Sequence, residues 1–121
     1  MSVQPRDQRS GCPISTALDR FGDRWTLLIV RDLVAGKARY GAFESSAEAV
    51  PTNILAARLK QMIADGLIEK SPYQNNPVRY EYGLTEKGRA LIPLLQEMCR
   101  WSKAWEDDTW SPPGAFMMLK P

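Results

Sequence analysis

The chain has 121 residues, 44% of them hydrophobic, which suffices for one modest core but not for two domains. Its formal charge of +2 excludes a globally basic, histone-like protein and leaves room only for a local basic face. There is no histidine and there are two cysteines, Cys12 and Cys99. The commonest metal ligand and the commonest general base are therefore missing, and a secreted disulfide framework is excluded.

Residues 1–11 are polar and are expected to form a disordered tail; they lack the apolar stretch of a signal peptide. No run of about 18 apolar residues follows, so no membrane span is expected and the reading is a cytoplasmic protein with reduced thiols. Pro13 suits the first position of a helix, where its missing amide costs nothing. Ile14, Ala17, Leu18 and Phe21 recur behind it at helical spacing, and Gly22 ends the helix. The next helix, expected over about 24–35, carries Trp25, Leu27, Leu28, Ile29, Val30, Leu33 and Val34. It is apolar on nearly every side, which predicts a central buried position. Gly36 stops it, Lys37 to Arg39 read as a short strand, and Tyr40 and Phe43 mark a short helix at about 40–46.

A loop from Ala47 to Pro51 leads into the clearest helix, with Thr52 as its expected cap and Gly66 as its terminator. Leu55, Leu59 and Met62 form its apolar stripe, with Ile63 beside them. The period then changes from about 3.6 to about 2. A strand is expected over 67–71, a turn-rich stretch over 72–77, and a second strand over 78–84 carrying Tyr80 and Tyr82. Thr85 is expected to cap one long final helix over about 86–106, kinked by Pro93. Its expected inward stripe is Leu91, Leu95, Met98 and Trp105, with Ile92, Leu94 and Trp101 alongside. Residues 109–121 form a C-terminal tail ending in an apolar Phe116–Leu119 segment.

Short helix, turn, amphipathic helix and polar-tipped hairpin make the layout of a winged helix-turn-helix. The predicted fold is thus mostly α with a small β-hairpin (α+β), over residues 12–108, with extra N- and C-terminal helices for dimerisation. On the helix over 52–64, the side away from Leu55 shows Asn53, Ala57 and Lys60, with Ala56 and Gln61 at its edges and Thr52 at its start. This face carries no acid before Asp65. Asn and Gln can read adenine, Lys can reach guanine or phosphate, and the two alanines admit close approach in a major groove. In the hairpin, Asn75, Asn76 and Arg79 suit phosphate or minor-groove contact, although Arg79 has a competing cross-strand partner in Glu81. Arg58, on the flank of the helix, either contacts a phosphate or pairs with Glu44.

These segments resemble the HxlR family of winged helix regulators. The resemblance rests on Cys12-Pro13-Ile14, Gly22-Asp23-Arg24-Trp25-Thr26-Leu27-Leu28-Ile29 and Arg39-Tyr40-Gly41-Ala42-Phe43. It continues in Pro51 to Leu59, in Asp65-Gly66-Leu67-Ile68 and in Arg79 to Gly88. The loop from Ser45 to Val50 departs from the pattern in being more acidic and alanine-rich. The resemblance implies a repressor or activator that binds a double-stranded DNA operator as a homodimer, built from the first and last helices. Ile14, Leu18, Leu94, Met98, Trp101 and Trp105 are the expected interface. It also implies that some members sense electrophiles or oxidants through an N-terminal cysteine, so a small-molecule or electrophile effector is possible here.

Cys12 precedes Pro13 at a helix start, where first-turn amides favour a thiolate and Arg9 adds to them if the tail folds back. The other reading is a small apolar residue packed at an interface. Packing is the expected role of Cys99. No cofactor or metal site is expected, and no Ser or Cys has a base beside it in a recognisable motif, which argues against an enzyme. The alternative function is a winged helix used for protein–protein contact without DNA.

Overall fold

The structure, a computed structural model, describes residues 9–121; the part of the expected tail over residues 1–8 lies outside the described residues. In chain order the elements are α1 (Pro13–Phe21), α2 (Thr26–Val34), α3 (Tyr40–Glu44), α4 (Thr52–Ala64), β1 (Ile68–Asn75), β2 (Val78–Leu84), α5 (Glu86–Arg89), α6 (Ile92–Trp105) and α7 (Gly114–Met117). Among the described residues no helix is long and apolar enough to cross a membrane.

Local chemistry explains most boundaries. Pro13 opens α1, and the Gly22 amide closes it by donating to the Leu18 carbonyl at 2.8 Å. The start of α2 is set by Asp23, whose carboxylate accepts from the amides of Trp25 and Thr26, both at 2.9 Å, and from the Thr26 hydroxyl at 2.6 Å. Gly66, just past α4, sits at φ +77°, the left-handed region that glycine enters without a Cβ penalty. The core lies between α2, α4 and the base of the hairpin: Ile29, Val30, Phe43, Leu55, Leu59, Met62, Leu67, Ile68 and Leu95 are buried together. The predicted stripe of α4 is thus inside, while Ile63 is partly exposed.

The hairpin is longer than the sequence indicates. β1 and β2 pair antiparallel from Ile68↔Leu84 to Asn75↔Val78, with a register irregularity between Pro72 and Gln74. Most of the expected turn at 72–77 is therefore strand. Its residues are exposed on both faces, where Pro and polar side chains are tolerated, and the irregularity absorbs the missing Pro72 amide. Only Asn76 and Pro77, joined by a cis peptide bond, form the tip. The expected short strand at 37–39 reduces to one bridge, Arg39↔Glu81, beside a bond from the Tyr82 amide to the Ala38 carbonyl at 2.7 Å.

One long final helix is not formed. Thr85 does cap α5, its hydroxyl accepting from the Gly88 amide at 3.1 Å, but α5 ends at Arg89. Pro93 lies in the first turn of a separate helix rather than kinking a continuous one, because only there is its absent amide not missed. Gly88 is dictated by packing: a Cβ there would lie 2.1 Å from the backbone oxygen of Leu67.

α6 has two unlike faces. Ile92, Leu95 and Gln96 are buried, whereas Leu94, Met98, Trp101 and Trp105 are exposed, the two tryptophans to 60% and 74%. Met98 and Trp105 therefore do not belong to this chain's inward stripe, contrary to the expectation. Ile14 and Leu18 of α1 are exposed as well. The segment after α6 is docked: the Gln96 amide donates to the carbonyls of Phe116 and Leu119, both at 3.0 Å, and Phe116 packs against the core.

Candidate nucleic-acid interface

α3 and α4 form the two-helix unit, with α4 presenting its polar side outward. Asn53, Ala56, Ala57 and Lys60 are exposed on α4, and Gln61 is half-buried. Thr52 is not the cap expected from sequence; Pro51 holds that position and no side chain caps the helix. The first-turn amides of α4 are left for water or an anion. The Thr52 hydroxyl instead donates to the Glu44 carboxylate at 2.5 Å, and the Thr52 carbonyl accepts from the Tyr40 hydroxyl at 2.8 Å. Both bonds tie the start of α4 to α3. Burial, with the Glu44 charge nearby, pushes the Tyr40 hydroxyl up and keeps it a donor.

Arg58 does not pair with Glu44, the intramolecular partner expected for it. Its guanidinium lies 3.6 Å from Asp23, linking α4 to the cap of α2. Burial raises the Asp23 carboxyl, but the Thr26 hydroxyl, the amides of Trp25 and Thr26 and the Arg58 charge outweigh it and hold the group below its ordinary range. Gln61 donates to Asp65 at 3.0 Å, so its amide is partly committed within the helix.

On the hairpin, Asn75, Asn76 and Arg79 are all exposed near the tip. Glu81, expected as a cross-strand partner for Arg79, is on the same strand, β2, and lies 3.6 Å from Arg39 instead. Among the described residues the Arg79 side chain has no partner. Sequence reasoning missed two further cations against the hairpin: Arg39, from outside it, stacks 3.6 Å over the Tyr73 ring, and Lys70 of β1 lies 4.5 Å over Tyr80. The alternation of Lys and Tyr across the two strands was the available signal; the approach of Arg39 was not readable, since it arrives from the connection between α2 and α3.

Cys12 is exposed at the start of α1, and Cys99 is half-buried in α6. Arg9 folds back but binds Asp19 at 2.7 Å, so its charge goes to that carboxylate. Among the described residues no cluster of potential metal ligands occurs.

A family model described as HxlR-like helix-turn-helix matches residues 20–109. The HTH-type transcriptional regulator YvaP of Bacillus subtilis (strain 168) is 35% identical over 102 residues, 84% of this chain and 94% of that protein. Among solved structures, the redox regulator HypR in its oxidised form has a TM-score of 0.70 at 30% identity, over 77% of this chain and 96% of that one. The reduced form of the transcriptional regulator YodB from B. subtilis has a TM-score of 0.67 at 30% identity, over 84% and 100%.

Proposed function

Because this chain belongs to the HxlR-like helix-turn-helix family of transcriptional regulators, we propose that it binds a duplex operator as a cytoplasmic homodimer and acts as a regulator, not as an enzyme. The observation that carries this reading is the outward face of α4. Asn53, Ala56, Ala57 and Lys60 stand exposed and in line, while Leu55, Leu59 and Met62 anchor the opposite side in the core. A rigid, acid-free helix face of that width fits a major groove. The unpaired Arg79 and the amides of Asn75 and Asn76 extend the contact along the wing to phosphates. Arg58, engaged with Asp23, acts in this reading as a brace for α4.

Two-fold pairing through α1 and α6 would cover the exposed stripe of Leu94, Met98, Trp101 and Trp105 together with Ile14 and Leu18. It would set two α4 helices about 34 Å apart, one turn of duplex. Asn53→Ala is expected to lose about 1–3 kcal/mol at one base position and to relax specificity there. Lys60→Ala and Arg79→Ala should instead weaken binding to all sequences and flatten the salt dependence. Titrating selected and random duplexes at several salt concentrations checks this. Equal losses on both kinds of DNA by Asn53→Ala would remove its assignment as a base reader, and no mobility shift with any duplex would leave the protein-contact reading.

HypR is a redox regulator, and the exposed Cys12 supports a like role for this chain. The Cys12 sulfur would add to an electrophile at the α1 face that the dimer uses, changing the spacing of the two α4 helices. Benzoquinone should then weaken operator binding by the native protein and leave Cys12→Ser unaffected. A full response by Cys12→Ser would make Cys12 a packing residue.

A further inference from the structure

The loop between α3 and α4 is held by a charge network that the DNA contacts do not use. Asp32 of α2 is 5% exposed, and Ser46 of the loop is similarly buried. The Ser46 hydroxyl donates to one Asp32 oxygen at 2.5 Å. Arg31 donates to the other through two nitrogens, at 3.0 and 2.8 Å. The same guanidinium reaches across to the loop and donates to both oxygens of Glu48, at 2.8 and 2.7 Å. Lys37 Nζ donates to Ser46 at 3.3 Å. One residue on, Ala49 sits at φ +53°, a left-handed conformation that a residue with a Cβ adopts only under strain. After it, Val50 is buried again. The loop is therefore pinned on both sides of a strained residue: by Glu48 before it and by the Val50 side chain after it. Such strain persists only where the surroundings over-determine the backbone.

An isolated surface ion pair would contribute little, since exposed pairs are screened and lose side-chain entropy. This one differs in two ways. The fork is bidentate, and its arginine is already immobilised by a buried carboxylate, so closing onto Glu48 freezes few additional rotors. The hydrogen bonds from Arg31, aided by its charge, also hold the Glu48 carboxyl below its ordinary range against the effect of burial.

We propose that Glu48 is a positioning residue: through Arg31 and Asp32 it fixes the loop geometry and with it the angle at which α4 meets DNA. Its contribution to operator recognition rests on the DNA-binding reading above, whereas its hold on the loop does not.

The test is Glu48→Gln, which keeps the shape and one acceptor but removes the charge. Two measurements are made on the full chain. Hydrogen exchange should show the loop amides within 46–52, above all those of Ser46 and Ala49 that bond to the Phe43 and Ser46 carbonyls, opening about tenfold faster while α2 and α6 exchange as in the native protein. The ratio of affinities for an operator selected from random duplexes and for unselected duplex should fall about tenfold, comparable to one mismatched base pair. A merely structural effect would lower both affinities alike through the melting temperature and leave the ratio intact. Unchanged exchange at 46–52 overturns the inference, as does faster exchange with an unchanged ratio. If the native protein selects no duplex at all, it is the DNA-binding reading that fails, and the exchange result still decides whether Glu48 holds the loop.

Discussion

Replacing Trp101 and Trp105 together by Glu should convert the protein to monomers and lower operator affinity by about a hundredfold to ten-thousandfold. The two indoles stand 60% and 74% exposed on α6, in line with Met98 and Leu94. A Trp side chain carries about 150–250 Å². Burying the open part of four such side chains across a two-fold axis releases on the order of 10 kcal/mol at about 25 cal/mol per Å². That is comparable to the about 4–15 kcal/mol that association costs in lost translation and rotation, so this stripe decides whether the dimer exists. Four carboxylates at its centre would instead face like charges in a desolvated seam. Once the protomers separate, each half-site must be bound independently, and the gain of about 10² to 10⁴ from linking two binding events disappears. Sedimentation velocity at micromolar concentration reads the first effect, and a mobility-shift titration the second. A native protein that sediments as a monomer would remove the dimer altogether, and a double variant that remains dimeric would place the interface elsewhere.

Phe43→Ala should be the most damaging single substitution in the core, at about 3–5 kcal/mol. Phe43 is completely buried and meets Tyr82 of the wing edge-on, with ring centroids 6.2 Å apart. It is therefore the point at which α3 packs against the hairpin. Its loss leaves a cavity between them as well as a transfer penalty. Against a total stability of about 5–15 kcal/mol, this removes a large share. The melting temperature should fall by more than about 10 °C, measured at matched protein concentration because self-association, where it occurs, contributes to it. Phe43→Leu, which retains much of the volume, should lose considerably less. A loss below about 1 kcal/mol for the alanine variant would mean that the core closes over the site.

The features legible in the sequence are those written in local pattern. The stripe of Leu55, Leu59 and Met62 has one helical interpretation, and it is buried as expected. Pro13, Gly66 and Thr85 act at their positions through backbone chemistry that needs no partner element. The bounds of β2 agree because alternating β-formers there are followed directly by a cap. Apart from the break of the final helix before Pro93, the misreadings concern residues whose roles depend on a distant partner. Thr52 has the side chain of a cap, yet its hydroxyl goes to Glu44 on α3, and Pro51 occupies the cap position. Arg58 has Glu44 within plausible reach by sequence, yet Asp23 at the head of α2 is the carboxylate it meets. Residues 72–75 read as turn because Pro and polar side chains suggest one, but pairing with β2 makes them strand.

The sequence by itself therefore determined the order of the helices and the hairpin from α1 to β2, the inward side of α4 and the family, since periodicity, capping and turn chemistry act over a few residues. Only the tertiary structure decided which charges meet. Arg31 bridges Asp32 and Glu48, Arg39 reaches Tyr73, and the Gln96 amide holds the chain end against α6. It also decided that Met98 and Trp105 turn away from the chain's own core. A helix with two apolar sides satisfies the same periodicity whichever side its own core occupies, so that choice waits on the packing of the elements around it.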